Sequence, residues 1–318
     1  MNKNRPKSEI FELLNIKTLK FQPMDCKVNE QKLIEIFIWT DDFVKSFSQF
    51  CLPPQVGQRR RTPGLSPSEM MTILIFYHHS GYKCFEYYYE RCVLKALIGH
   101  FPQAPSYTRF VQLIPRSMHL WYWMAKVRGL MAQATGLYFV DSKKLPVCDN
   151  RPIHSHKVFQ DIAQRGKTSI GWFFGLKIHL VINNLGEIVS FSITAANVAD
   201  NNKKVLDKLF KPIRGKCFGD KGYISKHFEY FYRKGFQLIT RTRKNMKNKL
   251  MDYYDKIMRQ RRGIIESVND ILMTVFDIDH TRHRSPVNAV THILGAVAAY
   301  SFYEDKPRVF KPDNIQNR

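Results

Sequence analysis

The sequence predicts a mixed α/β domain preceded by an all-helical N-terminal domain. Three observations predict it. Apolar residues recur at helical spacing through residues 1–134; short apolar runs bounded by turn residues take over from about residue 135; a helical pattern returns from about Asp255. With 318 residues and 44% hydrophobic content, the chain can bury a core of that size.

In the helical part, Ser66-Pro67-Ser68-Glu69 combines a capping box with proline at the first helical position, and the apolar run Met70 to Tyr77 follows. A second amphipathic segment covers Phe85 to Ile98 and ends near Gly99. A third starts at Ser106 after Pro105, carries Phe110, Leu113 and Ile114 at helical spacing, and runs through Trp121 and Trp123 towards Met131. The aromatic cluster Tyr87-Tyr88-Tyr89 and the Trp121/Trp123 pair fit core packing better than base stacking.

The α/β part begins with a strand over Gly136 to Val147, bounded by Pro146. Gly171 to Asn183 is a second strand, Asn183-Asn184-Leu185-Gly186 a turn, and Glu187 to Thr194 a third strand, so these two form a hairpin. A helix over Ala199 to Phe210, a short strand leading to Asp220, a helix after Ser225, the strand Phe236 to Thr242 and a helix from Asp255 to Val275 complete the series. Three strands, helix, strand, helix, strand and long helix is the element order of an RNase H-like domain, a mixed five-stranded sheet with flanking helices. The expected division is 1–134 helical, 135–305 RNase H-like and 306–318 a C-terminal tail.

Fifty Lys and Arg against 27 Asp and Glu give a net charge of +23, an excess that favours polyanions, nucleic acid before anionic membrane. Residues 203–262 alone hold 19 basic and 5 acidic side chains. Arg59-Arg60-Arg61-Thr62-Pro63-Gly64 is a second basic segment, a loop suited to DNA contact or to an exposed linker. The six cysteines show no paired spacing and no CxxC, and no signal peptide opens the chain, so they are expected as reduced thiols of a cytosolic protein. Ala289 to Tyr303, broken by Thr291, His292 and Ser301, is too short and polar for a bilayer that needs ~20 apolar residues, and suits a core or interface helix.

Within this frame three carboxylates stand out. Asp141 directly follows the apolar run Leu137 to Val140, and Asp220 follows Lys216-Cys217-Phe218-Gly219, so each closes a short strand and opens a polar loop. Glu266 lies on the last helix. There Ile264, Ile265, Val268, Ile271, Leu272 and Val275 form one apolar stripe, and Glu266 falls off it near Arg262 and Asn269. Taken singly, each has a plainer reading: strand-end turn formation for the aspartates, an i, i+4 pair with Arg262 for the glutamate. Taken together, two strand-end aspartates and a helical glutamate suit a pair of divalent cations acting on a phosphodiester.

Rival motifs are weaker. Gly166-Lys167-Thr168 resembles the end of a P-loop, but Asp161 stands where its first glycine belongs. Cys148, His154 and His156 lack zinc spacing and a fourth ligand. His280-Thr281-Arg282-His283 with Tyr300 or Tyr303 only vaguely suggests a tyrosine recombinase, whose mark is a covalent phosphotyrosyl adduct.

Several segments carry a family resemblance. They are Tyr138-Phe139-Val140-Asp141-Ser142 with Leu145-Pro146-Val147-Cys148, Trp172 to His179, Thr194-Ala195-Ala196-Asn197-Val198-Ala199-Asp200, Gly219-Asp220-Lys221-Gly222-Tyr223, and Arg261-Arg262-Gly263-Ile264-Ile265-Glu266. Together they span 137–277, and in this order the chain resembles a DDE transposase of a bacterial insertion sequence. The resemblance in the N-terminal helices is looser.

The resemblance implies an RNase H-like fold and one site in which Asp141, Asp220 and Glu266 are the catalytic and metal-binding residues, holding two Mg²⁺ ions for which Mn²⁺ can substitute. It implies cleavage of double-stranded transposon-end DNA, attack of the freed 3′-hydroxyl on target DNA, and a homodimer or higher assembly at synapsis in the bacterial cytoplasm, at the nucleoid. The N-terminal domain would bind DNA ends or dimerise. Lys177, Lys221 and Arg262 are candidates for phosphate contact, with Arg259 and Arg59, Arg60 and Arg61 as further DNA-binding positions. Arg259 stands where many relatives carry Tyr and Met273 where they carry Lys, a departure that bears on how end DNA is gripped. The alternatives are an RNase H-like metal-dependent nuclease without strand transfer, and a DNA-binding protein with a decayed site.

Overall fold

The computed structural model describes residues 29–51, 64–148, 157–167, 171–241, 251–279 and 283–310. Its helical layer starts with α1 (Glu30–Cys51) and α2 (Pro67–His79). Ser66 caps α2 as its sequence requires: the Glu69 amide donates to Ser66 Oγ at 3.2 Å, and the Ser66 amide donates to Glu69 Oε2 at 2.6 Å. Helix α3 (Phe85–Tyr88) widens into a π-helix at Tyr89–Ala96. Helix α4 (Tyr107–Leu113) tightens into a 3₁₀ turn at Ile114–Ser117 before α5 (Met118–Leu130). The expected single segment is therefore jointed at Pro115, which cannot donate to the helical ladder. Tyr88, Tyr89 and Trp121 are fully buried, while Tyr87 and Trp123 are about half exposed.

The sheet follows: β1 (Leu137–Cys148), β2 (Gln164–Lys167), β3 (Trp172–Asn183), β4 (Ile188–Ala195), β5 (Gly215–Gly219) and β6 (Phe236–Thr240). Helix α6 (Lys203–Phe210) links β4 to β5, and α7 (Phe228–Arg233) links β5 to β6. β1 pairs antiparallel with β3 and parallel with β5, β5 pairs parallel with β6, and β4 and β2 share the outer edge of β3. Among the described residues the sheet has six strands, which corrects the expected five. The extra strand β2 carries Gln, Arg, Gly and Lys, has no apolar alternation to announce it, and joins through backbone bonds to Trp172–Gly175.

The expected β3–β4 hairpin is present; Asn183 Oδ1 accepts the Leu185 and Glu187 amides in its turn, and Gly186 takes the left-handed conformation. Helix α6 starts four residues later than expected, because Asn202 caps it by accepting the Lys204 amide. That leaves Asp200 in the preceding loop. The long last helix is also two: α8 (Tyr253–Gln260) packs on β5 and β6, and α9 (Gly263–Thr274) packs on β1. The break at Arg261–Arg262 lets each segment lay its own apolar face on a different part of the sheet. Val275, placed on the expected stripe, lies past the end of α9 and is exposed.

Side chains alternate across the sheet, and two apolar clusters result. On one face Tyr138, Val140, Cys217 and Leu238 pack under α6 and α7. On the other, Leu137, Phe139 and Phe218 join a core shared with α9, the N-terminal helices and α10 (Pro286–Ser301). Helix α10 packs on α2 and α5, and its buried Tyr300 hydroxyl donates to Gly186 O at 2.7 Å. The apolar segment ending the chain is thus a core helix, and no described helix is long and apolar enough to cross a membrane.

Candidate active site

Strand register sets the site. Phe139 is the partner of Phe218 in the parallel β1–β5 pair. Two residues further on, Asp141 and Asp220 come to matching positions, where neighbouring strands are about 4.8 Å apart. Asp220 lies just past the end of β5. Asp141 is inside β1, which runs on to Cys148 because β3 continues to pair with it, and so does not open a loop as expected. Parity places both on the face of Phe139 and Phe218, the face that α9 covers. Glu266 lies in the first turn of α9. The approach of β5 to β1 here requires Gly219, since a Cβ at that position would sit 2.8 Å from Val140 Cγ1.

Two side chains of α9 and its cap reach Asp141. Asn269, itself buried, donates Nδ2 to Asp141 Oδ2 at 3.2 Å. Arg262 bridges strand and helix: Nη1 is 3.7 Å from Asp141 Oδ1 and Nη2 is 2.6 Å from Glu266 Oε1. Burial pushes the Asp141 carboxyl up to about 6; Arg262 and the Ser142 amide oppose the rise, and the negative charges of Glu266 and Asp200 add to it. Asp220 is exposed at the tip of β5, and its carboxylate makes no ion pair among the described residues.

The other candidate residues are placed as follows. Lys177 on β3 is largely buried and its ammonium contacts Asp200 Oδ1 at 2.9 Å. Lys221 is exposed in the 3₁₀ turn Lys221–Tyr223 that follows Asp220. Arg259 on α8 is half-buried, with an Nε that has no hydrogen-bond partner among the described residues. Arg59, Arg60 and Arg61 lie outside the described residues, as do His154, His156 and the Cys148 side chain.

Three neighbours of Asp141 escaped the sequence reading as site residues. Asp200 contacts Lys177 and lies 3.8 Å from Nδ1 of the fully buried His179, whose Nε2 is 3.0 Å from Thr194 Oγ1. Tyr223, also buried, is held protonated by burial and by the charges of Asp200 and Asp141. Asp200 and His179 close two of the segments that carry the family resemblance, but loop position gave no reason to join them.

Does this set suit divalent cations? Among the described residues no three His, Cys, Asp or Glu side chains stand close enough together to hold a metal ion. The chemistry does suit one. The donors are all hard carboxylate oxygens, the kind Mg²⁺ selects, and the Arg262 guanidinium already stands as a positive charge between Asp141 and Glu266.

A mixed six-stranded sheet among the described residues, with helices on both faces, defines an α/β protein. Residues 131–286 match the family model of the transposase DDE domain, which identifies this stretch of the chain as a DDE transposase domain. That stretch contains Asp141, Asp220 and Glu266. No curated protein and no solved structure matches the chain.

Proposed function

We propose that the chain is an insertion-sequence transposase that cuts transposon-end DNA and joins the freed 3′-hydroxyl to target DNA at the site of Asp141, Asp220 and Glu266. The observation that carries this reading is the β1–β5 register, which brings Asp141, inside β1, and Asp220, just past the end of β5, to matching positions on the face that the helix of Glu266 covers. The strand order, with antiparallel β3 and β4 on one side of β1 and parallel β5 and β6 on the other, supports an RNase H-like fold.

The three carboxylates would hold two Mg²⁺ ions, or Mn²⁺ in their place; when bound, such a pair activates the attacking oxygen and stabilises the leaving one. Everything else falls to the chain. Asp141 ionises near pH 6, so it is a carboxylate at neutral pH. Asp220, exposed, faces arriving DNA. Arg262, which pairs with Asp141 and Glu266, would be available to a phosphate when those carboxylates hold cations, and Lys221 and Lys177 would contact the same backbone. Arg259 and the Arg59–Arg61 segment extend the grip, and residues 1–134 bind the ends or dimerise. The protein works on the nucleoid as a homodimer or larger.

The test uses a duplex carrying the sequences that flank the gene, with Mg²⁺. Metal-dependent nicking that vanishes in Asp220→Asn supports the reading; nicking without strand transfer from a pre-cleaved end would favour the simple nuclease.

A further inference from the structure

Asp200 belongs to a family-like segment, yet none of the chemistry above uses it. It sits in the loop before α6, its two carboxylate oxygens facing different neighbours. Oδ1 faces β3: it takes the Lys177 ammonium at 2.9 Å and stands 3.8 Å from His179 Nδ1, a buried ring atom with no hydrogen-bond partner among the described residues. His179 is anchored in turn through Nε2 to Thr194 Oγ1 on β4.

Oδ2 faces the turn that carries Asp220. A Cβ built on Gly222 would lie 3.3 Å from it, tighter than side chains normally tolerate, so this position favours glycine because Asp200 comes this close. The next residue adds a second link to the same turn: Asn201 Nδ2 donates to Ile224 O at 2.9 Å. The charge of Asp200 is also felt at Asp141 and at the buried Tyr223 hydroxyl. One carboxylate thus lies close against the turn after Asp220, pairs with Lys177 on β3, and contributes to the field around Asp141.

We propose that Asp200 is a positioning residue of the site: it fixes the Asp220–Tyr223 turn against β3 and aims the Lys177 ammonium at the scissile phosphate. The assignment rests on the proposed transposase reading. Asp220 has no ion pair of its own among the described residues, so its placement depends on its backbone, and that backbone is held by the 200–201 loop. Lys177 without Asp200 would be a buried ammonium on β3 with no counter-charge and a free choice of rotamer.

Full-length wild type, Asp200→Asn, Gly222→Ala and Asp141→Asn are compared on three readouts. These are thermal melting, Mn²⁺ binding followed by electron paramagnetic resonance, and the Mn²⁺ dependence of nicking on a duplex of the gene's flanking sequence. Gly222→Ala should melt like the wild type and Asp200→Asn lower, since Lys177 loses its counter-charge. Both should bind Mn²⁺ more weakly and, per folded molecule, nick about 10- to 100-fold more slowly, the scale of a small misplacement. A wild-type rate with a wild-type Mn²⁺ requirement in both variants overturns the assignment, and so does slow nicking that merely tracks lost folded protein. If Asp200→Asn does not fold, Gly222→Ala decides, because it presses on the carboxylate from an exposed turn. An inactive Asp141→Asn beside normal Asp200 and Gly222 variants removes only the role of Asp200; a fully active Asp141→Asn removes the transposase site itself.

Discussion

Asp141 and Asp220 each stand two residues beyond the register partners Phe139 and Phe218 of the parallel β1–β5 pair, Asp141 inside β1 and Asp220 just past the end of β5. Their surroundings are unequal. Asp141 is largely buried, bonded to Asn269 and beside Arg262, whereas Asp220 is exposed. Substituting the two should therefore affect stability differently while affecting activity alike.

Asp220→Asn is predicted to leave the melting temperature unchanged and to lower nicking by roughly 10²- to 10⁴-fold, the loss of several kcal/mol of charge stabilisation at the transition state. Matched melting curves and single-turnover nicking check it. Unaltered nicking would remove Asp220 from the site.

Asp141→Asn is predicted to stabilise the metal-free protein at neutral pH. The Asp141 carboxyl is raised to about 6 in the fold, against about 3.9 in an unfolded chain. The stability linked to its proton is therefore fully present below about pH 4 and lost as pH rises through about 6. The asparagine variant escapes that loss, by about 1–3 kcal/mol at pH 7.5, and its advantage should fade by pH 4. Denaturant melts at the two pH values measure it; a destabilised variant at pH 7.5 would contradict the burial account.

Arg262→Gln is predicted to change two affinities in opposite directions. Removing the guanidinium between Asp141 and Glu266 should tighten Mn²⁺ binding about 2- to 5-fold, the range of partly exposed ion pairs. It should also weaken DNA binding and lower the salt dependence by about one phosphate contact. Calorimetry with Mn²⁺ and DNA binding across a salt series give both numbers. Weaker Mn²⁺ binding would show that Arg262 supports the cation rather than standing in for it.

Ser66→Ala is predicted to cost about 1 kcal/mol through the lost cap of α2 and to leave nicking at the wild-type rate, since the cap belongs to the helical layer. Denaturant melts and the nicking assay check this together.

The sequence made the strands around the site legible because each aspartate ends a run of apolar residues, a pattern that survives without tertiary information. The position of Glu266 off the stripe formed by Ile264, Ile265, Val268 and Leu272 was legible too: it is exposed and pairs with Arg262. Other features had no local signal. β2 is polar and exists only because β3 offers an edge. The α8–α9 break follows from two packing surfaces that no single helical period describes. Asp200 sat inside an expected helix until the Asn202 cap placed it in a loop. Its partners Lys177 and His179 lie more than twenty positions earlier, so only the β3–β4 pairing and the loop that follows bring them together.

The most direct measurement of the central claim is strand transfer with Mg²⁺ and a pre-cleaved duplex ending in the repeats that flank the gene. The account predicts joined products with the wild type, none without Mg²⁺, and none with Asp141→Asn, Asp220→Asn or Glu266→Gln. Joining at the wild-type rate by any of these three variants, or joining that needs no divalent cation, would contradict it.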